Sequence, residues 1–552
     1  MRRYVTALVA ILVAVASLAG APVRAQDTVL ERAPPRLVVA ISVDQFSADL
    51  FAEYRQHFTQ GLGRLLQGAV FPSGFQSHAA TETCPGHSTI LTGAHPARTG
   101  IVANNWFDPG LARADKRVYC VEDERDPASS SGNPVVSARH LRVPTLGDRL
   151  KAANPSNRNV AVAGKDRAAI MMGGHAIDQV YWWKNGFVTL AGRKPDPAAV
   201  EASAAASKLI GEGAPELPVP AWCAGKDRAI PVGGGTVGTG RFALRAGNEF
   251  DFRASPRLDR ATLDLAARLA ERMKLGRGRA ADVLSVSLSA TDYVGHGAGT
   301  EGVEMCIQLA EVDQALGDFF ARLDAQGVDY VAVLTADHGG FDLPERLVQQ
   351  GYPARRIDGT LGLKTLAAAV LAQTGVAAPA GDLLYADGTG GDIYLSKALS
   401  PEDRAKVATA LAALLRANPQ VEAVFTAQEL AETPMPAGSP QDWTLRQRAR
   451  ASFDPERSGE VVVLLKRGLV PITRGAPGRA TTHGSPWDYD RRVPILFWRK
   501  GLTGLEQPAP VETVDIAPTL AGMLGLAVPA GAFDGRCLDI DGGAGDSCNA
   551  VH

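Results

Sequence analysis

The run Arg36-Leu37-Val38-Val39-Ala40-Ile41-Ser42-Val43 is almost continuously apolar and is closed by Asp44. A strand with one face in water alternates polar and apolar residues. An unbroken run instead fits a strand covered on both faces, as in a parallel sheet held between helices. Further strands are expected at Asn159–Ala163, Asp282–Leu288, Val328–Leu334 and Val493–Trp498, with a helix from Leu258 to Met273. The fold class is therefore α/β. At 552 residues the chain exceeds what one growing core accommodates, so a single large catalytic domain with insertions is expected. The insertions are placed near 173–257 and 343–480, where regular strand patterning lapses.

Chemistry-bearing residues gather just past these strands, where open α/β sheets place their ligands. Asp44 follows the first strand and reads equally as a ligand or as a helix N-cap. Thr291-Asp292 through His296 follows the strand ending at Leu288, and Asp292 and His296 are four residues apart, a metal-ligand spacing if the segment turns. Asp337-His338-Gly339-Gly340 follows the next strand, and His483 precedes the last one. Gly164-Lys165-Asp166-Arg167 follows Asn159–Ala163 and suits a phosphate clamp, since guanidinium grips two oxygens while ammonium adds a point charge. The same tetrapeptide at Gly225–Arg228 has no strand leading into it and reads as a coincidence.

The stretch from Ala79 to Gly93 reads as a loop of small polar residues entering a helix, with Pro85 in its first turn. Hydroxyls at that end meet the positive pole of the helix, a place for an anion. Asn104-Asn105 marks a turn, and one of the two could donate an amide to the same anion.

Lys and Arg total 57 against 59 Asp and Glu, so no basic field exists to hold a polyanion, and nucleic acid is excluded as a standing partner. Arg2-Arg3, the apolar Val5–Leu18 and the small residues ending at Ala25 form a secretory signal over 1–25, leaving 26–552 as the catalytic domain. No later stretch is apolar enough to span a bilayer. The mature chain is then expected to be periplasmic or secreted. Its six cysteines can pair there, Cys537 with Cys548 by proximity, the other four in an order that spacing leaves open.

Taken together, Asp44, Asp292, His296, Asp337, His338 and His483 offer three carboxylates and three imidazoles. Six such ligands without cysteine suit two zinc-like ions, three ligands each, an arrangement that can clamp both oxygens of an in-line phosphoryl displacement. Manganese or cobalt would fit nearly as well.

In their order along the chain these residues resemble the alkaline phosphatase superfamily of two-zinc enzymes. Thr83-Cys84-Pro85-Gly86-His87, Leu91, Gly93, Gly100-Ile101 and Asn104-Asn105 resemble its nucleotide pyrophosphatase and phosphodiesterase branch, and Lys165-x-Arg167 the phosphate-irrepressible, PafA-like phosphatases. The resemblance implies a three-layer sandwich with a mostly parallel central sheet and cap insertions. It implies Thr83 as nucleophile, a phosphothreonine intermediate, and Asn104, Lys165 and Arg167 as phosphate-binding groups. It assigns Asp44, Asp337 and His338, with Thr83, to one Zn2+ and Asp292, His296 and His483 to the other.

Small phosphate monoesters are the expected substrates and a monomer the expected state. A phosphodiesterase on the same metals is the alternative. Lys165 and Arg167 favour the monoester, whose dianion presents more charge than a diester. An exported zinc- or phosphate-binding protein without turnover is a second alternative. A sulfatase is disfavoured because its Cys-x-Pro-x-Arg signature is absent, and a cytoplasmic metal-dependent mutase by the signal sequence.

Overall fold

The computed structural model describes residues 33–476, 478–543 and 546–548; the secretory segment read over 1–25 lies outside them. Seven strands build the central sheet: β1 Leu37–Val43, β2 Ala69–Phe75, β3 Asn159–Ala163, β4 Gln179–Trp183, β5 Asp282–Leu288, β6 Tyr330–Thr335 and β7 Arg492–Arg499. Their order across the sheet is β2, β7, β6, β1, β5, β3, β4, with short edge strands outside both ends. The β6, β1, β5, β3 and β4 pairings are parallel, and β7 runs antiparallel to both of its neighbours.

The apolar run does what its pattern requires. Leu37, Val39, Ile41 and Val43 enter the core on one face and Val38 and Ala40 the core on the other, so every residue of β1 is buried. Burying such a Val, Leu or Ile side chain contributes about 1.5–3 kcal/mol. The helices that cover the sheet or approach its edge are α1 Thr83–Thr92, α2 Asp166–Gly173, α3 Pro256–Met273, α4 Ala290–Ala298 and α5 Val303–Ala325. Leu265 of α3 and Leu316 of α5 share the first core, and Ile90 and Leu91 of α1 the second. Helices on both faces of a mostly parallel sheet make the expected three-layer architecture.

Pro494 lies inside β7, where its missing N–H would break a ladder. The pairing with β6 begins only at Leu496, and the register against β2 shifts between Val493 and Ile495, so the proline falls at an irregularity.

A second, antiparallel sheet is built from Leu384–Tyr385, Gly391–Leu395, Val461–Leu465 and Val421–Thr426, in that order. Helices α6 Leu363–Thr374 and α7 Pro401–Ala417 pack on it around Leu366, Val370, Leu411 and Leu415, a core of its own. Between 173 and 257, where an insertion is expected, lies first β4 of the central sheet itself, and after it the helix Pro197–Glu212 and a small hairpin, Ile230–Val232 with Gly235–Val237, which stand outside the sheet.

Three disulfides join Cys84 to Cys120, Cys223 to Cys306 and Cys537 to Cys548, the last as proximity suggested. Among the described residues no helix is long and apolar enough to cross a membrane.

The C-terminal segment clasps the far end of α1. His95 contacts Glu512 at 3.0 Å and Asp534 at 3.4 Å, and its backbone N–H donates to Asp534 at 2.8 Å. Burial alone would push the imidazole down, but Asp534 and Glu512 raise it to about 9. The charged ring therefore adds stability in full below about pH 6.5, its ordinary value, and this is lost as pH rises through about 9. Replacing His95 by Gln is expected to open a gap in melting temperature that is widest near pH ~6 and closed by about pH 10. A gap independent of pH would show that the clasp acts by packing alone.

Candidate active site

Because β1, β3, β5 and β6 run parallel, their C-terminal ends lie along one edge, and the reversed β7 brings its N-terminal end to that same edge. Asp44 follows β1, Lys165 follows β3, Asp292 sits in α4 after β5, and Asp337 and His338 follow β6. His483 arrives on the loop that enters β7 by way of a short helix, Asp488–Arg491. The segment after β5 does turn: Asp292 and His296 share one face of α4.

The ligand atoms converge. His296 Nε2 and His483 Nε2 lie 3.2 and 3.4 Å from Asp292 Oδ1. His338 Nε2 lies 3.4 Å from Asp44 Oδ1 and 3.3 Å from Asp337 Oδ2. Two groups bring their ligand atoms within 4.8 Å of one another, Asp292 with His296 and His483, and Asp44 with Asp292 and His338. Asp292 thus faces both halves of the site, a bridging place that spacing along the chain did not reveal.

The imidazoles are oriented from behind. His296 Nδ1 meets the carbonyl of Thr481 at 3.0 Å, His338 Nδ1 that of Gly339 at 2.8 Å, and His483 Nδ1 that of Thr81 at 2.8 Å. Each Nδ1–H donates a hydrogen bond to its carbonyl, which leaves the Nε2 lone pair facing inward, the tautomer a metal requires. Asp44 Oδ1, Asp292 Oδ1, Asp337 Oδ2 and His338 Nε2 are buried with no hydrogen-bond partner. Orphaned acceptors at one spot are costly unless a cation satisfies them, so the residues fit bound metal.

Electrostatics agree. Burial pushes His338 down to about 3, keeping it neutral. Burial also pushes the carboxylates up, and with Asp337 alongside it raises Asp44 well above the usual range. For Asp292 burial is outweighed by His296 and Lys165, and for Asp337 by His338 and His87, so both are held well below it.

Thr83 is the first residue of α1. The hydroxyl of Thr81 donates to the carbonyl of Ser485 at 2.7 Å, and that of Thr89 to Gln76 at 3.0 Å and Gly86 at 2.8 Å. Thr83 Oγ1 instead meets Arg167 Nη2 at 3.4 Å. Gly86 allows α1 this close: a Cβ there would stand 1.9 Å from the carbonyl oxygen of Asp337. Asn104 Oδ1 accepts the Cys84 N–H at 2.8 Å, beside Thr83, whereas Asn105 turns away to Asp387 at 2.7 Å.

Lys165 stands elsewhere than beside the hydroxyl. Its Nζ donates to Asp44 Oδ2 at 2.6 Å and to Asp292 Oδ2 at 2.5 Å. The second Gly-Lys-Asp-Arg takes no part, since Lys226 pairs with Glu53 and with Glu301.

Several positioning groups escaped the sequence. Gln45 takes φ 68°, the left-handed region, and its N–H donates to Asp337 Oδ1 at 3.2 Å. His87 Nδ1 lies 3.1 Å from Asp337 Oδ2, and Glu82 accepts the Asn104 N–H at 2.7 Å. A cavity of 410 Å³ opens from Asn104, His296 and His483 beneath the second sheet, lined there by Tyr394 and Val462.

The family model described as type I phosphodiesterase / nucleotide pyrophosphatase matches residues 38–486. The chain is 54% identical over 520 residues to alkaline phosphatase PhoK of a Sphingomonas species, covering 93% of each. It is 49% identical over 519 residues to alkaline phosphatase PhoD of Zymomonas mobilis, covering 93% of this chain and 89% of the relative. The crystal structure of wild-type alkaline phosphatase PafA superposes with a TM-score of 0.79 at 25% identity, over 93% of this chain and all of the other.

Asp292→Ala removes the carboxylate facing both halves of the site. Affinity for divalent metal, read by competition with a chromophoric chelator, should fall by more than the roughly 10–100-fold typical of losing one supporting hydrogen bond. Unchanged affinity would strike Asp292 from the ligand set.

Proposed function

The chain belongs to the type I phosphodiesterase/nucleotide pyrophosphatase family, and from that premise we propose that it is an exported alkaline phosphatase hydrolysing phosphate monoesters through a phosphothreonine on Thr83. Relatives at 54% and 49% identity that are named alkaline phosphatases support hydrolysis of phosphate esters. The observation that carries the reading is the contact of Arg167 with the Thr83 hydroxyl at the edge of a converging carboxylate and imidazole set.

Asp44, Asp337 and His338, with Thr83, would hold one Zn2+ and Asp292, His296 and His483 the other. When bound, the two ions lower the pKa of the nucleophile and offset charge developing on the leaving oxygen. Thr83 Oγ gives up its proton to solvent and attacks phosphorus, the bond to the leaving alkoxide breaks, and the alkoxide takes a proton back from solvent. Water then attacks the phosphothreonine, releases inorganic phosphate and restores the Thr83 hydroxyl. Arg167 neutralises and Asn104 orients the non-bridging oxygens, and Lys165 joins them only on leaving Asp44 and Asp292. The leaving group departs toward the cavity under the second sheet. Three disulfides suit an oxidising compartment and support export.

A phosphodiesterase is the second reading. It is favoured by the position of Lys165, whose ammonium lies on Asp44 and Asp292 and leaves Arg167 as the cation beside Thr83.

Two measurements decide. Thr83→Ala should abolish turnover of p-nitrophenyl phosphate; full activity in the variant would end the nucleophile assignment. Lys165→Ala with Arg167→Ala should cost about 10²–10⁴-fold in monoester kcat/KM, the worth of two charged hydrogen bonds, and far less on bis-p-nitrophenyl phosphate. Equal losses on both substrates would favour the diesterase.

A further inference from the structure

A small hairpin, Asn105–Phe107 paired with Arg117–Tyr119, stands between α1 and α2 in its contacts. Asn104 leads into it, Tyr119 ends it, and Cys120 follows. Cys120 is bonded to Cys84, the residue after Thr83, and both cysteines are fully buried.

Asn104 is fixed at three points. Its carbonyl accepts the Cys120 N–H at 3.0 Å, its Oδ1 accepts the Cys84 N–H at 2.8 Å, and its own N–H donates to Glu82 Oε2 at 2.7 Å. With Oδ1 committed to Cys84, the NH2 of the same amide is the end left to meet an anion.

Tyr119 holds the other cage residue. Its O–H donates to Asp166 Oδ1 at 2.6 Å and its oxygen accepts Arg167 Nη1 at 3.3 Å, while Arg167 Nη2 reaches Thr83 Oγ1 at 3.4 Å. Burial raises the Tyr119 phenol, so it stays protonated and keeps donating at alkaline pH. A two-stranded hairpin is marginal alone. This one sends its own Trp106 and Val118 into a buried cluster with Ile101 and with Ala168 and Met171 of α2, and it is covalently tied to the helix it must serve.

We infer that the hairpin is a positioning device for the phosphate-binding groups: Tyr119 aims Arg167, and the Cys84–Cys120 bond keeps Asn104 in register with Thr83. Neither Tyr119 nor the disulfide meets the reacting atoms. The inference rests on the phosphate-ester reading above and deepens it by naming what sets affinity for the phosphoryl dianion.

The test uses the full-length enzyme with p-nitrophenyl phosphate, bis-p-nitrophenyl phosphate and inorganic phosphate as inhibitor. Tyr119→Phe keeps the ring and removes both hydrogen bonds. It should lower monoester kcat/KM and weaken phosphate inhibition by about tenfold each, with diester turnover changed by less than about threefold and the melting temperature retained. Cys84→Ala with Cys120→Ala should shift the same ratio in the same direction, whereas Cys537→Ser with Cys548→Ser should leave it unchanged. Equal loss on both substrates in Tyr119→Phe, or unaltered phosphate inhibition, would overturn the inference. Should the Cys84/Cys120 variant fail to fold, Tyr119→Phe still decides. A wild type preferring the diester would instead overturn the monoesterase reading, and phosphate inhibition of Tyr119→Phe would then judge the hairpin.

Discussion

Everything at this site follows from placing Asp44, Asp292 and Asp337 together with almost no exposure. Two like charges 4 Å apart repel by about 4 kcal/mol at an effective dielectric of ~20, and burial adds a desolvation penalty. Such a cluster persists only if cations and fixed dipoles answer it. Lys165 supplies one charge, the backbone N–H groups of Gln45 and His338 hold Asp337 Oδ1, and His87 stands against its other oxygen. The acceptors still orphaned are the ones a bound cation would satisfy. The left-handed Gln45 is part of that arrangement: the backbone turns sharply after β1, and the N–H of Gln45 meets Asp337.

Most of this scaffold was legible in the sequence because strands buried on both faces write an unbroken apolar run, and because functional loops follow strand ends. Asn159–Ala163 and Asp282–Leu288 came out at their expected limits, and Val493–Trp498 grew by one residue at each end. The metal-ligand candidates were legible as residues, since Asp and His in glycine-flanked loops just beyond core strands have little structural use there.

What stayed hidden is tertiary. Tyr119 sits in an unremarkable stretch, and although Gln45 follows Asp44 and Glu82 and His87 lie within Ala79–Gly93, the partners of all four appear only when distant segments meet. The Cys84–Cys120 pairing had no local spacing to announce it, unlike Cys537–Cys548. Two copies of Gly-Lys-Asp-Arg illustrate the limit well. One follows β3 into the site, and the other spends its lysine on Glu53 and Glu301. Lys165 also shows that naming a residue is easier than naming its partner: the clamp expected on phosphate rests on the carboxylates of Asp44 and Asp292.

The reversal of β7 has a consequence in time. His483 reaches the site only because the loop before an antiparallel strand ends at the same edge as the parallel strands, and bringing Asp44 to Asp292 and Asp292 to His483 closes long loops of the chain. Contacts of such sequence separation form late and slowly, after local elements exist. A nascent chain therefore carries its first carboxylate from the start but completes its ligand set only when β7 docks. The site is thus assembled late in folding, and a chain arrested before β7 lacks His483 while already carrying Asp44, Asp292, His296, Asp337 and His338.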